Sequence, residues 1–294
     1  MNMKILVTGS AGLVGRQVVN DLEDMGDTVY SAYHNSKPED GISTQMDLSC
    51  ADKIKEIVSK LNPDAIIHLA AITDVDLCEK EKELALKINA HATETLSKLA
   101  AQHHTFFVYV STDYVFDGQK GMRKESDHPN PVDFYGKSKL EGEIALNKLA
   151  SPYAIARTST PFGIHHKKKG FPLWVKESLE SKKEIPVLVD QFTSPTFVPN
   201  LSKMLIEVAT RQITGIIHLA GATRISRYDL AELVSDKLSL EKKLLIPTKT
   251  DEMDWKAQRP KDSSLDVSLA TEILHEKPLN ITKGLDLFLE SIDY

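Results

Sequence analysis

The sequence predicts an α/β protein with a Rossmann-type, doubly wound parallel sheet and a smaller, discontinuous α/β substrate lobe. Short β-branched apolar runs alternate with longer amphipathic stretches through the first two-thirds of the chain, as expected of βαβ units around a parallel sheet. A glycine-rich turn joins the first apolar run to the first amphipathic stretch. After Thr158 this alternation of apolar runs and amphipathic stretches ends and prolines become frequent, which indicates a second unit inserted into the first.

The predicted elements follow this alternation along the chain. The predicted strands are Lys4–Gly9, Thr28–Tyr33, Asp64–Ala70, Phe106–Thr112, Tyr153–Thr158 and Gly215–Gly221. The predicted helices are Leu13–Met25, Ala51–Leu61, Lys82–His103, Tyr135–Leu149, Leu173–Ser181 and Asn200–Thr210. Because the strands are almost continuously apolar, we expect them to be buried on both faces.

Composition narrows the class of protein. The chain has 294 residues, a formal net charge of -6 and a pI near 5.9, so it lacks the broad basic surface of a nucleic-acid-binding protein. Its two cysteines, Cys50 and Cys78, are too few for a disulfide scaffold and lack zinc-site spacing. The first apolar run, in "MNMKILVTGSAG", is short and ends in glycine and polar residues, so we expect neither a signal peptide nor a membrane span there. We therefore expect a cytoplasmic protein that acts on small molecules, without a membrane partner or a metal site.

The glycine-rich turn "GSAGLVG" places Gly9, Gly12 and Gly15 between the first strand and the first helix. Glycines here permit a tight turn and let the backbone approach a pyrophosphate, while the helix N-terminus supplies free N–H donors. An ordinary strand-to-helix turn is the alternative, but the position at the start of a βαβ series favours a dinucleotide. We expect 1–159 and 197–221 to form the NAD(P)-binding domain, and 160–196 and 222–294 to form the substrate-binding lobe.

The end of the second strand favours NADPH over NADH. Acidic residues that accept from an adenosine 2′-hydroxyl are absent from "SAYHNSK", whereas His34, Asn35, Ser36 and Lys37 have side chains that suit a 2′-phosphate. Asp47, in "MDLS", has two interpretations: it accepts from the adenine amino group, or it belongs to the N-terminal turn of the next helix.

Tyr135 and Lys139, in "FYGKSKLEG", are four residues apart, so both lie on one face of the predicted helix. A neighbouring ammonium stabilises a phenolate and lowers its pKa, which makes a tyrosine a better general acid. The spacing alone favours an ordinary surface pair. The hydroxyls of Ser111 and Thr112 change that balance, since they end the fourth predicted strand at the sheet edge where ligands bind.

Together, the glycine turn, "STDYVFDG" and "YGKSKLEGE" resemble the extended short-chain dehydrogenase/reductases, and among them the dTDP-4-dehydrorhamnose reductases. The resemblance continues through "HLAAITDVDLCE", "KINA", "ARTS", "DQFTSPT", "HLAG" and "RPKDSSLDVS" and so covers nearly the whole chain. It implies hydride transfer from NADPH, with NADH as the second option, to the C4 keto group of dTDP-4-dehydro-β-L-rhamnose. It also implies a nucleotide-sugar substrate, and it leaves open a homodimer and a requirement for Mg²⁺.

The resemblance assigns roles by position. It makes Thr112, Tyr135 and Lys139 the catalytic residues, with Tyr135 as proton donor. The expected cofactor-binding residues are Gly9, Ser10, Ala11, Gly12, Leu13, Val14, Gly15, His34, Asn35, Ser36, Asp47, Leu48, Ala70, Ala71, Ile72, Thr73, Asn89, Val110, Ser111, Tyr135, Lys139 and Arg157. The expected substrate-binding residues are Thr73, Thr112, Asp113, Tyr135, Thr160 and Arg259, the last because a guanidinium forks onto phosphate oxygens.

Two departures from the family pattern fall in the substrate region. Thr160 replaces the tryptophan usual after "RTS", and Thr193 replaces the glycine usual after "DQF". Two alternative functions therefore stay open. One is a cofactor-binding regulatory subunit resembling the β subunit of methionine adenosyltransferase. The other is a nucleotide-sugar epimerase or dehydratase, although Tyr114 stands where dehydratases commonly carry a second acidic residue.

Overall fold

Seven parallel strands form the central sheet of the computed structural model, which describes residues 2–149, 151–165 and 169–292. Including six strands outside this sheet, the strands of the described residues are β1 (Lys4–Thr8), β2 (Thr28–Tyr33), β3 (Ile42–Gln45), β4 (Ala65–His68), β5 (Phe106–Thr112), β6 (Tyr153–Thr158), β7 (Pro161–Phe162), β8 (Ile185–Leu188), β9 (Phe192–Thr193), β10 (Thr196–Phe197), β11 (Gly215–His218), β12 (Ile225–Ser226) and β13 (Leu245–Thr248). The sheet order is β11-β6-β5-β4-β1-β2-β3.

Helices cover both faces of the sheet. They are α1 (Leu13–Asp24), α2 (Ala51–Leu61), α3 (Val75–Lys80), α4 (Lys82–Leu86), α5 (Ala92–Gln102), α6 (Phe134–Asn147), α7 (Phe171–Glu180), α8 (Val198–Thr210), α9 (Arg227–Lys237), α10 (Ser268–Ile273) and α11 (Ile281–Ile292). A π-helical turn covers Lys87–His91, and 3-10 turns cover Asp113–Val115, Lys242–Leu244 and Thr250–Glu252.

Alternation along the strands explains why the sheet is covered on both sides. Ile5 and Val7 of β1 pack in one core with α1 and α8, whereas Leu6, between them, packs in a second core with α2 and α5. All the residues of β4 and β5 are buried. The predicted Rossmann-type α/β fold is thereby confirmed.

The strand order reverses between β1 and β4, because the chain runs from β1 outward to β3 and then returns to the other side of β1. The crevice at such a reversal, beyond the carboxyl ends of the strands, is where open α/β sheets bind ligands. The residues that follow β1 and β4 therefore open onto one site.

A separate apolar core lies beyond the sheet. It joins residues such as Phe162, Leu230 and Phe288, and three short two-stranded ladders, β7 with β10, β9 with β12 and β8 with β13, lie in this part of the chain. The helix α10 lies within the predicted lobe 222–294, yet its residue Ala270 packs in the sheet core with Ile5. The domain limits set by the sequence stay a prediction, and the chain crosses between the two cores several times.

Two elements differ from the sequence-based expectation. The helix expected over Lys82–His103 is interrupted by the π-helical turn Lys87–His91, which contains Asn89; single π turns inside helices frequently mark functional sites. The edge strand β3 was not predicted. Three of its four residues are exposed, so its sequence lacks the apolar run that indicates a buried strand.

Candidate functional site

The turn between β1 and α1 is shaped for close approach by a ligand. Gly9 has a φ of +68°, and a Cβ on Gly15 would lie 2.2 Å from the carbonyl oxygen of Gly9. Gly12 is the N-cap of α1 and offers no side-chain cap, and no acidic residue occupies the first helical turn. The first backbone N–H groups are consequently available to an anion, and the turn fits a dinucleotide pyrophosphate.

A cavity of about 950 Å³ runs from this turn to the lobe. Its volume is near the upper end of the range of roughly 300–1,000 Å³ for small-molecule sites, which suits two ligands side by side. The sequence-predicted residues that line it are Gly9, Ala11, Gly12, Leu13, Val14, Gly15, His34, Asn35, Ser36, Asp47, Leu48, Ala70, Ala71, Ile72, Thr73, Val110, Ser111, Thr112, Asp113, Tyr135, Lys139 and Thr160.

Four predicted site residues do not line this cavity. The Ser10 hydroxyl is buried and donates to the carbonyl of Ala32 at 2.9 Å. The Asn89 amide is buried too, and it accepts from the backbone N–H of Ile72 at 2.8 Å and donates to the Ser138 hydroxyl at 2.9 Å. Asn89 therefore supports the cavity wall from behind.

The two predicted arginines are also committed elsewhere. Arg157 is 1% exposed and its guanidinium contacts the Glu143 carboxylate at 2.6 and 3.0 Å. Arg259 lies 3.1 Å from the Asp76 carboxylate, and its guanidinium is 5.0 Å from the centre of the Trp255 ring. Both positive charges are neutralised by carboxylates that the sequence does not associate with them.

The predicted catalytic residues meet at the carboxyl edge of the sheet. Thr112 ends β5, and Tyr135 and Lys139 lie one turn apart on α6. The Asp133 carboxylate caps α6 by accepting from the Gly136 N–H at 2.8 Å, which fixes the helix start. All three catalytic candidates line the cavity.

Burial controls the acid–base properties of the pair. It raises the pKa of Tyr135 well above its ordinary value, and the Thr112 hydroxyl lowers that pKa in part. Burial lowers the pKa of Lys139 to about 7, and the negative charge of Glu143 opposes that shift. The Lys139 ammonium donates to the Val110 carbonyl at 2.8 Å and lies 4.1 Å from the centre of the Tyr109 ring. The expected lowering of the tyrosine pKa by lysine is thus absent from this arrangement, in which desolvation dominates.

Asp113 is a buried carboxylate on the cavity wall. It accepts from the Ser159 hydroxyl at 2.7 Å and from the Thr112 hydroxyl at 3.0 Å, and burial raises its pKa. These hydrogen bonds fix Thr112 against β6. Asp113 therefore orients its neighbour as well as lining the cavity.

The end of the cavity predicted to bind the adenosine is open. The side chain of His34 is 62% exposed, and its Nε2 atom lies 4.0 Å from the Asp47 carboxylate. Asp47 accepts from the backbone N–H of Ser49 at 2.8 Å, which lowers its pKa. Asp47 thus forms part of the turn before α2, and it also lines the cavity. Both interpretations of Asp47 agree with its position.

A smaller cavity of about 170 Å³ continues from this end. Its lining includes Ser10, Arg16, Ser36 and Lys37. Arg16 is held by the Glu39 carboxylate at 2.8 Å.

Two cavity residues without a predicted site role are Arg227 in the lobe and Tyr114 in the 3-10 turn after β5. Arg227, the first residue of α9, lines the main cavity, and Tyr114 does so beside Tyr135, with ring centres 5.8 Å apart. Tyr114 lies two residues after Thr112 in "STDYVFDG", so its place in that motif could have identified it. Arg227 has no such signal, because it lies far along the chain from the other cavity residues.

Thr160 has an unusual backbone conformation. Its φ is +42°, a left-handed conformation in which a β-branched residue is strained. It lines the cavity at the junction between β6 and β7. The residue that departs from the family sequence is therefore also a point of backbone strain.

Two absences concern the described residues alone. In 2–149, 151–165 and 169–292, no group of three or more His, Cys, Asp or Glu residues is arranged to hold a metal ion. The same part of the chain contains no helix with the length and apolar character needed to cross a membrane.

Known proteins resemble this chain over almost its entire length. A curated probable low-salt glycan biosynthesis reductase, Agl14 of Haloferax volcanii, is 32% identical over 90% of this chain and 90% of its own. A dTDP-4-dehydrorhamnose reductase of Aggregatibacter actinomycetemcomitans is 32% identical over 96% of this chain and 97% of its own. The methionine adenosyltransferase 2 subunit beta of Danio rerio is 30% identical over 90% of this chain and 83% of its own.

Solved structures extend the likeness to three dimensions. The dTDP-4-dehydrorhamnose reductase of Bacillus anthracis, solved in complex with NADP, superposes with a TM-score of 0.89 at 28% identity and covers 99% of this chain and 100% of its own. A family model described as the RmlD substrate binding domain matches residues 3–293. The chain belongs to this family of Rossmann-fold, NAD(P)H-dependent oxidoreductases.

Proposed function

We propose that this protein uses NADPH to reduce the C4 keto group of a nucleotide sugar, with dTDP-4-dehydro-β-L-rhamnose as the substrate and dTDP-L-rhamnose as the product. One observation carries the proposal. The glycine turn and the group of Thr112, Tyr135 and Lys139 open onto one continuous cavity. A reductase needs this continuity, because the cofactor and the keto group must lie side by side.

Each residue near the keto group has a separate role in the proposed reaction. The Thr112 hydroxyl binds the carbonyl oxygen, and the Tyr135 phenol donates a proton to it as the C–O bond becomes single. Lys139, which lines the same cavity, would hold the nicotinamide ribose of the cofactor. In the structure the Thr112 hydroxyl donates its single hydrogen to Asp113 at 3.0 Å, and on substrate binding this hydrogen would turn to the carbonyl oxygen. The dinucleotide, when bound, supplies the hydride that reaches C4.

The cofactor half supports NADPH through its shape and its charges. The pyrophosphate would lie against the turn around Gly12, where a side chain on Gly15 would intrude. At the adenosine end, the acidic residues Glu39 and Asp40 are engaged with Arg16 at 2.8 and 3.8 Å. The NADP complex of the Bacillus anthracis reductase agrees with this preference. NADH is the alternative cofactor.

The likeness to methionine adenosyltransferase 2 subunit beta favours a second candidate, a regulatory subunit that binds the cofactor without turnover. A regulatory protein has no need of a proton donor. The position of Tyr135 beside Thr112 on the cavity wall therefore favours the reductase.

The decisive experiment follows the absorbance of NADPH with enzymatically prepared dTDP-4-dehydrorhamnose, and identifies the product by chromatography. We expect consumption of NADPH in proportion to dTDP-L-rhamnose formed, and a lower Michaelis constant for NADPH than for NADH. Tight NADPH binding without turnover would refute the reductase and favour the regulatory subunit. A lower Michaelis constant for NADH would refute the cofactor assignment alone.

A further inference from the structure

Arg227 is held rigidly at the substrate side of the cavity. Its backbone N–H donates to the Gln191 carbonyl at 3.0 Å, and its Nε donates to the Gln191 side-chain oxygen at 3.2 Å. The guanidinium carbon lies 5.0 Å from the centre of the Phe171 ring. The Ser226 hydroxyl caps the same helix by accepting from the Asp229 N–H at 2.9 Å. These contacts fix the planar group before any ligand arrives.

The charge of Arg227 has no carboxylate partner among the described residues. The sequence contains seven arginines, all within the described ranges. The other six form ion pairs: Arg16, Arg123, Arg157, Arg211, Arg224 and Arg259. Leaving one half-buried guanidinium unpaired costs free energy, and a cavity that retains one is prepared for an anion.

The neighbouring acid does not fill this role. Asp113 is near enough to favour the charged form of Arg227, but the two side chains form no ion pair, and the Asp113 carboxylate accepts from the hydroxyls of Ser159 and Thr112 instead. The other cationic side chain on this part of the wall, Lys139, donates to the Val110 carbonyl. The Nη atoms of Arg227 therefore offer a bound anion a pair of strong donors on this wall.

We propose that Arg227 binds phosphate oxygens of the diphosphate that links nucleoside and sugar in the substrate. The proposal deepens the proposed function and rests on it for the identity of the nucleotide. The cofactor pyrophosphate belongs to the turn at α1, whereas Arg227 begins α9 on the lobe side, so it faces a second anion. A guanidinium forks onto two phosphate oxygens. Arg259, the arginine that the sequence favours for this role, is occupied by Asp76 at 3.1 Å and by the Ala257 carbonyl at 2.8 Å.

Binding without turnover tests the proposal. Isothermal calorimetry of the full chain with dTDP, dTMP, thymidine and NADPH would compare the wild type with Arg227→Met, which keeps the length of the side chain but removes its charge. We expect the dissociation constant for dTDP to rise about 10- to 100-fold and the constants for thymidine and NADPH to stay unchanged. Arg227→Lys, which keeps the charge without the fork, should weaken dTDP binding to an intermediate degree.

Arg224→Met is the matched control, because Arg224 lies three residues earlier and pairs with Asp262 at 2.7 Å. It should bind dTDP as the wild type does. The proposal is overturned if Arg227→Met binds dTDP normally, if thymidine binding falls as much as dTDP binding, or if the wild type does not bind dTDP. If Arg227→Met fails to fold, Arg227→Lys decides, since unchanged dTDP affinity there contradicts a forked contact.

The two proposals fail separately. A wild type that binds dTDP through Arg227 but does not oxidise NADPH with the keto sugar refutes the reductase and leaves the diphosphate site. A wild type that turns over, with an Arg227→Met variant whose Michaelis constant for the sugar nucleotide is unchanged, refutes the diphosphate site alone.

Discussion

The two halves of the cavity are built from different parts of the chain. The cofactor half is mainly backbone: Gly9 and Gly15 have no side chain, and a Cβ on either would lie within 3 Å of backbone atoms. The substrate half is mainly side chains, such as Thr112, Tyr135 and Arg227. Backbone donors suit a ligand that is the same for many enzymes, whereas side chains can change with the substrate. A substitution should therefore affect either cofactor binding or turnover, according to the half in which it lies.

The largest expected effect is on turnover alone. Tyr135→Phe removes the proposed proton donor, so kcat should fall about 100- to 10,000-fold. The dissociation constant for NADPH should stay within about twofold, because the proposed role of the hydroxyl is mainly in the transition state. Steady-state kinetics and a fluorescence titration measure the two quantities. Tyr153→Phe, whose hydroxyl bonds to Asn147 outside the cavity, is the control. Unchanged kcat in Tyr135→Phe would assign the proton to another donor.

The complementary change should affect cofactor binding. In Gly15→Ala the new methyl group meets the Gly9 carbonyl at 2.2 Å, so the turn must shift. Such overpacking costs about 1–3 kcal/mol, and we expect NADPH affinity to fall at least about tenfold. Gly170→Ala is the control, since its nearest neighbour would be 3.5 Å away in ordinary contact. Normal NADPH affinity in Gly15→Ala would mean that the turn does not bind the pyrophosphate.

The pH dependence of kcat/KM for NADPH should report the titration of Lys139, which lies where the two halves of the cavity meet. Burial lowers the pKa of Lys139 to about 7, so the free enzyme loses this positive charge as the pH rises through 7. The value of kcat/KM for NADPH, which reports the free enzyme, should fall up to about tenfold for each pH unit above 7. Lys139→Met should lower activity and flatten this limb, whereas Lys137→Met, exposed on the same helix, should retain it. A fall that persists in Lys139→Met would assign the titration to another group.

The smallest expected effect is on stability. Thr160 is strained at a φ of +42°, and glycine relaxes that strain, so Thr160→Gly should raise the free energy of unfolding by about 1 kcal/mol. Urea denaturation measures the difference. Thr160→Ala removes the branched side chain but keeps the Cβ, so it should raise the free energy of unfolding by less than Thr160→Gly does. A destabilised Thr160→Gly would show that side-chain packing, and not the backbone, determines this position.

The cofactor half could be predicted from the sequence because its residues are consecutive. The turn from Gly9 to Gly15 is a single local pattern. In the substrate half, Thr112 and Tyr135 could also be predicted, because they lie at strand and helix ends that the alternation indicates. The Rossmann-type sheet followed from the same alternation. An exposed edge strand such as β3 carries no comparable apolar signal.

The substrate half could not be predicted in the same way, because its charges are decided by distant partners. Arg157 and Arg259 resemble ligand-binding residues in sequence, yet Glu143 and Asp76 neutralise them in the fold. Arg227 lies in an ordinary helix-start sequence, and only the absence of such a partner among the described residues distinguishes it. Pairing between residues that are far apart is information that one sequence does not contain.

The position of α10 has a consequence for how the chain folds during synthesis. Ala270 and Leu274 complete the core beneath β1, whose residues are made first. The ribosome must therefore release almost the whole chain before the first strand acquires all its neighbours. Contacts so distant in sequence slow folding, and the exposed sheet of the unfinished chain is prone to aggregation. A chain truncated before α10 should therefore accumulate as insoluble protein.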